Sequence, residues 1–186
     1  IDAPAHNELS GTQTGGSMAD GKPNVAPIRR VVTGHGANNV AKALIDGAPA
    51  NIKYPAPGIV TTTLWNSFET PAAIDPGEGV EDLGDREIIL PPVANGSRFA
   101  IIDFLPGNAN FMHRTDTLDY AIVMSGEIEM HMDQSVVKLK AGDVVVQRGT
   151  NHSWVNTGSE PARIAVILID GQTLNIGKAV PRPVVK

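Results

Sequence analysis

The chain has 186 residues and a mass of 19.6 kDa, enough for one domain to bury a substantial core without covalent staples. Its net charge of −5 and the lack of any basic run speak against nucleic acid as a partner, and the absence of cysteine excludes disulfides, zinc–thiolate sites, iron–sulfur clusters and a thiol nucleophile. With 41% hydrophobic and 19% charged residues the chain is globular, and 19 glycines and 14 prolines favour a turn-rich β protein over long helices.

Residues 1–17 are polar and aperiodic and run into Met18-Ala-Asp-Gly-Lys, so they are expected to be an appended remnant or a disordered lead-in. No basic stretch followed by an apolar one marks a signal peptide, and the longest apolar runs fall far short of the roughly 18 residues that span a bilayer. A cytoplasmic, membrane-free protein is the expectation. From Ile28 onward short strands alternate with turns: 30–33 closed by Gly34, 40–45 closed by Asp46-Gly47, and the β-branched run 59–65 after Pro57-Gly58. Short helices are conceivable only at 38–44 and 71–74. The segment 69–85, rich in Pro, Gly and acidic residues, reads as a long acidic loop.

The second half is more regular. Segments 86–90, 97–104, 118–124, 127–132, 136–140, 144–147, 153–156 and 162–169 all fit strands, recurring roughly every 8–12 residues with turn residues between them, as in an antiparallel sandwich or barrel. In 127–132, Ile128, Met130 and Met132 share one face and leave His131 on the other. The Pro-interrupted tail 173–186 reads as an arm free to reach a neighbouring subunit.

Two segments carry the chemistry. The first runs from Gly107 through His113, Arg114, Thr115, Asp116 and Asp119 to Gly126. The second runs from Gly142 through Gln147, Arg148 and Gly149 to His152, Trp154 and Asn156. On adjacent strands of a closed sheet, His113, Asp119 and His152 can face one barrel mouth. Two imidazoles and one carboxylate form a set that suits divalent metals.

These segments resemble the paired motifs of the cupin family, G-x5-H-x-H-x3-4-E-x6-G and G-x5-P-x-G-x2-H-x3-N. Gly107, His113 and Gly126 match the first, and Gly142, Gly149, His152 and Asn156 match the second. Thr115 stands where the second His belongs, Asp119 stands for Glu, and Gln147 stands for Pro after a spacer one residue shorter. The resemblance implies an all-β fold, an antiparallel double-stranded β-helix (jelly roll) over 86–172, with upstream strands in 18–85 as an N-terminal extension. It implies a divalent transition metal (Fe, Mn, Zn or Ni) held by His113, Asp119 and His152, with Thr115 holding a water. The departures leave open a metal-free polar cluster of the same groups.

Other residues take subordinate roles. Arg148 is a candidate rim clamp for an anionic substrate, while alternation aims Arg114 away from His113 and towards Asp116. Tyr120 is expected outside the barrel, Trp154 on the face of His152, and His35 on the surface. Phe99, Ile101, Phe111, Ala121, Val123 and Trp154 are expected to line an apolar pocket for a small organic acid, aromatic or polyketide-like substrate. The expected activity is that of a lyase, isomerase, dehydratase or dioxygenase; the alternative is a non-catalytic ligand-binding or assembly module. A homodimer without nucleic-acid partners is expected.

Overall fold

Side-chain alternation decides the layers. In a computed structural model, which describes residues 23, 25–74, 76–87 and 90–184, eleven strands form. They are β1 (Arg30–His35), β2 (Ala41–Gly47), β3 (Ile52–Ala56), β4 (Ile59–Ser67), β5 (Ser97–Phe104) and β6 (Thr117–Ser125), followed by β7 (Glu127–Met132), β8 (Val136–Lys140), β9 (Val144–Arg148), β10 (His152–Val155) and β11 (Ala162–Asp170). In β6, Thr117, Asp119, Ala121 and Val123 are buried while Tyr120, Ile122 and Met124 are exposed, a clean period of two. Residues 1–17 lie outside the described residues.

All pairings are antiparallel. Six strands form one sheet in the order β3-β4-β5-β11-β6-β9, three form a second in the order β10-β7-β8, and β1 pairs with β2. The two larger sheets face each other. Phe104, Val123 and Ile164 from the first pack with Ile128, Met130 and Trp154 from the second in one apolar cluster. Burying such side chains, at roughly 1.5–3 kcal/mol each, holds the two sheets face to face. This is the expected jelly roll. Two strands upstream of residue 86, β3 and β4, are built into the larger sheet, β4 lying directly against β5.

Several expectations are corrected. Neither short helix forms as expected: at 38–44 there is only a 3-10 turn over Ala37–Asn39, broken by Asn38 and Asn39 at φ 60° and 58°, before strand 41–47, and 72–74 has no regular structure. Within the segment 86–90, residues 88 and 89 lie outside the described residues, and 86, 87 and 90 are not strand. Strand β3 was not foreseen because it contains Pro55. At the edge of the sheet a proline costs little, since no ladder partner awaits its missing N–H.

The acidic loop is pinned. Asp82 takes both ends of the Arg30 guanidinium, which also donates to the Leu64 carbonyl at 2.8 Å. Asn51 and Asn66 donate to the carbonyls of Gly84 and Leu83. The C-terminal segment, expected to reach outward, instead folds back. Val180 N–H donates to the Arg114 carbonyl at 2.7 Å, Arg182 pairs with Asp170, and Arg114 donates to the Gly177 carbonyl. Among the described residues no helix is long and apolar enough to cross a membrane.

Candidate functional site

Against the apolar cluster, and sharing Phe104, Ala121, Trp154 and Ile164 with it, lies a cavity of about 370 Å³. Its two imidazoles are set by backbone. His113, in the loop before β6, and His152, the first residue of β10, exchange both N–H···O=C bonds at 2.9 Å, so two residues 39 positions apart become direct antiparallel neighbours. Their rings stand 4.4 Å apart. Phe111 stacks on His113 at 5.0 Å, and Trp154 meets His152 edge-on at 6.3 Å.

Each His Nδ1 lies 3.0 Å from a backbone carbonyl, that of Phe111 for His113 and that of Thr150 for His152. A carbonyl only accepts, so Nδ1 carries the hydrogen and Nε2 keeps a lone pair. Burial among aromatic rings disfavours the charged form of both. His113 is lowered from its ordinary range, and His152 falls to about 4, through burial first and His113 second. Both rings are neutral at pH 7.

Asp119 reaches the same cavity from β6. Directly across from it on β9 is Gln147, whose Nε2 donates to Asp119 Oδ2 at 2.7 Å. The other oxygen, Oδ1, is buried without a hydrogen-bond partner. Desolvation lifts the carboxyl to about 6, against a smaller downward pull from the Thr117 hydroxyl. Thr115 also lines the cavity, but its hydroxyl is shared with that of Thr117 at 2.7 Å.

The expected metal triad is therefore only partly assembled. The two imidazoles meet with free Nε2 lone pairs, a chemistry that suits a transition metal. Asp119 engages Gln147, and among the described residues no three His, Cys, Asp or Glu side chains are grouped to hold one ion. As a three-ligand site the donor set does not fit.

The remaining expected residues divide. Phe111, Ala121 and Trp154 line the cavity. Phe99, Ile101 and Val123 do not: Phe99 is on the outer surface of β5, Ile101 packs with Leu64 and Ala165, and Val123 lies in the core cluster. A one-residue phase error on β5 explains the first two, because a strand flips its faces at every step. The residues of β5 that line the cavity are Arg98, Ile102 and Phe104.

Arg148 is exposed and opens onto a separate polar cleft with Arg114 and Lys178, not onto this cavity. Arg114 pairs with Asp116, as alternation implied. His131 points away from the core and bonds Glu129 at 2.9 Å. Sequence reasoning missed Arg98 and the inward role of Gln147. The available signal was that Arg98 is in phase with the apolar Ala100, Ile102 and Phe104.

Fold and site together define a jelly-roll protein with a polar cluster set in a largely apolar cavity. Comparison with known proteins sharpens the class. The cupin domain profile matches residues 100–168. The chain is 30% identical over 176 residues to the cupin-domain-containing oxidoreductase virC of Hypocrea virens, covering 90% of this chain and 88% of that one. It is 40% identical over 91 residues to phomopsin biosynthesis cluster protein D of Diaporthe leptostromiformis, 48% of this chain; that match spans 47% of the phomopsin protein, about half its length. The cupin domain of Schizosaccharomyces pombe Cnp3 is a solved structure of similar shape, at 12% identity, covering 76% of this chain and 87% of that one with a TM-score of 0.46. The chain belongs to the cupin family.

Proposed function

We propose that the protein is a small-molecule enzyme that moves protons on an enolisable, largely apolar substrate, with isomerisation or dehydration as the net reaction. The observation that carries this reading is the juxtaposition, in one cavity, of a carboxyl group held near pH 6 and two neutral imidazoles with open Nε2 lone pairs. A general base works best when its pKa lies close to the working pH.

In the proposed step, the Asp119 carboxylate takes a proton from a carbon next to a carbonyl. The C–H electron pair becomes the C=C bond of the enolate while the carbonyl π pair moves onto its oxygen. Protonated Asp119, whose neutral form the buried site tolerates, returns the proton to another carbon or to a departing hydroxyl. The Nε2 atoms of His113 and His152 accept hydrogen bonds from substrate hydroxyl groups and fix its pose. The apolar walls, Ile102, Phe104 and Trp154 among them, exclude water and hold the hydrocarbon body. Two relatives named as biosynthesis cluster proteins, for phomopsin and for oryzines, support a small-molecule biosynthetic role.

A second reading is favoured by the imidazole pair: a transition metal on His113 and His152 and the oxidoreductase class that virC carries in its name. One experiment addresses both. Protein purified without chelator is assayed for metal and incubated in D2O with 3-oxooctanoate methyl ester and 2,4-pentanedione. The expected outcome is deuterium entering at the central carbon faster than in buffer, slowed roughly 100-fold or more by Asp119→Asn, with chelator having no effect. Exchange no faster than in buffer, or unchanged in Asp119→Asn, overturns the proton-transfer reading. About one equivalent of metal, with melting lowered by chelator, establishes the second.

A further inference from the structure

An antiparallel sheet with one face on the core turns polar side chains to water on the other. The three-stranded sheet obeys that rule: on its outer face Glu127 stands opposite Lys140 and Glu129 opposite Lys138. The six-stranded sheet breaks it. Strand register sets Val146, Tyr120, Ile167 and Phe99 in one row across β9, β6, β11 and β5, on the face turned away from the core. Val144 and Ile122 open the adjacent row.

The chain covers part of this outer face itself. Ile28 packs on Leu64, Ile101 and Ala165, and Arg163, paired with Asp103, holds the Ala26 carbonyl at 2.6 Å. Beyond that cover, Phe99, Tyr120, Ile122, Met124, Val144 and Val146 are 37–63% exposed. No charged residue occupies an outward position between them; Arg148 and the Arg163–Asp103 pair stand at the border. An apolar centre with a charged rim is the anatomy of a protein–protein interface. Six side chains open to this degree present on the order of 500 Å² of apolar surface, at the upper end of what a monomer leaves bare and most of the roughly 800 Å² per partner that a stable interface covers. The partly open Leu118, Ile167 and Trp65 beside them extend the area.

We infer that the outer face of β6 and β9 is an interface that takes a second copy of this chain, related by a two-fold axis through the patch and packed sheet on sheet. The occupant follows from the patch. It is a pleated surface of β-branched and aromatic side chains, the kind of surface that fills the space between two sheets about 10 Å apart. It carries no central charge that a distinct partner would have to match, and its own copy repeats the same rows and the same rim, so a two-fold axis makes it self-complementary. The axis closes the assembly at two, which leaves no further copy of the patch exposed. The cavity opens on the opposite face of this sheet, so the pairing holds whatever reaction takes place there.

Sedimentation of the full chain from about 1 to 100 µM tests the assignment. The wild type is expected at twice the 19.6 kDa chain mass. Ile122→Glu and Val146→Lys should each weaken dimerisation at least about 100-fold, since each change enters the interface twice. Val136→Lys, an equal change at an exposed valine of the other sheet, should leave the mass as it is. Circular dichroism of each variant confirms that it is folded. A wild type that stays at the mass of one chain leaves the face to some other occupant and overturns the assignment. So does a dimer that survives both Ile122→Glu and Val146→Lys, one that Val136→Lys dissociates equally, or a series of larger species that grows with concentration. The wild-type mass needs no variant, so a variant that fails to fold does not shield the claim.

Discussion

At Asp119 and His152 the same burial acts on acids and bases with opposite sign. The folded state raises Asp119 from 3.8 to about 6, so the stability linked to its protonated form is complete below pH 3.8 and is lost as pH rises through 6. It lowers His152 from 6.5 to about 4, so the stability linked to the neutral ring is complete above pH 6.5 and is lost as pH falls through 4. Between pH 4 and 6 the two oppose each other. Relative to wild type, Asp119→Asn is expected to be more stable at pH 8, by up to about 3 kcal/mol, with the gain fading on acidification. His152→Asn should show the reverse trend, gaining relative to wild type as pH falls. Thermal melts from pH 4 to 8 give these slopes directly; parallel profiles for all three proteins would contradict the burial argument. His113, Asp119 and His152 were legible in the sequence because motif spacing fixes where they emerge from the sheet. Arg98 was not, because a charged residue in a strand reads as solvent-facing until its phase with Ala100 and Ile102 is known.

Among the elements, the join between β10 and β11 shows how a motif residue can be wholly structural. Asn156 is 1% exposed. Its side chain donates to the carbonyls of Phe104 and Glu160 and accepts from Gly158 N–H, while its own N–H donates to Asn108 Oδ1. Asn156→Ala leaves two carbonyls and one N–H without partners, and urea titration should show a loss of about 2–4 kcal/mol with unchanged deuterium exchange in whatever fraction is folded. A loss below 0.5 kcal/mol would show that these bonds are replaced by water at little cost. The tight turn at Gly126 is equally determined. It sits at φ 75°, and a Cβ there would lie 2.6 Å from the Pro161 carbonyl oxygen. The bounds of β5, β7 and β8 could be read to the residue because turn residues bracket them, although only β7 alternates cleanly and the phase of β5 could not be read from its run of four apolar residues. Strand β3 could not, since its edge position, which makes Pro55 tolerable, is a property of the sheet and not of the five residues themselves.

For the whole molecule, the covering elements are as informative as the barrel. The pair β1–β2 and the acidic loop are joined through Arg30 and Asp82, and residues 171–184 form a strap across the lower rim, with Val180 contributing to the cavity wall. Deleting residues 174–186 removes Val180 and the Arg182–Asp170 pair together. The expected result is a melting temperature lowered by several degrees and increased fluorescence of anilinonaphthalene sulfonate, as an apolar wall opens to solvent. Identical melts and dye binding would show that the strap rests on the barrel without contributing to it. Little of this was legible from the tail's sequence, because two of its anchors, Arg114 and Asp116, are supplied by a distant part of the chain.

That strap ends in a mechanical coupling. Val180 hangs on the carbonyl of Arg114, the residue immediately after His113, and the Arg114 side chain grips Gly177 and Asp116. Whatever pulls on the carboxyl end, be it a fused domain, a purification handle or a tether to a surface, tugs on the backbone that positions an imidazole. Handles for assay or immobilisation therefore belong at the amino end, and a fusion at the other end would alter turnover without touching a single group in the cavity.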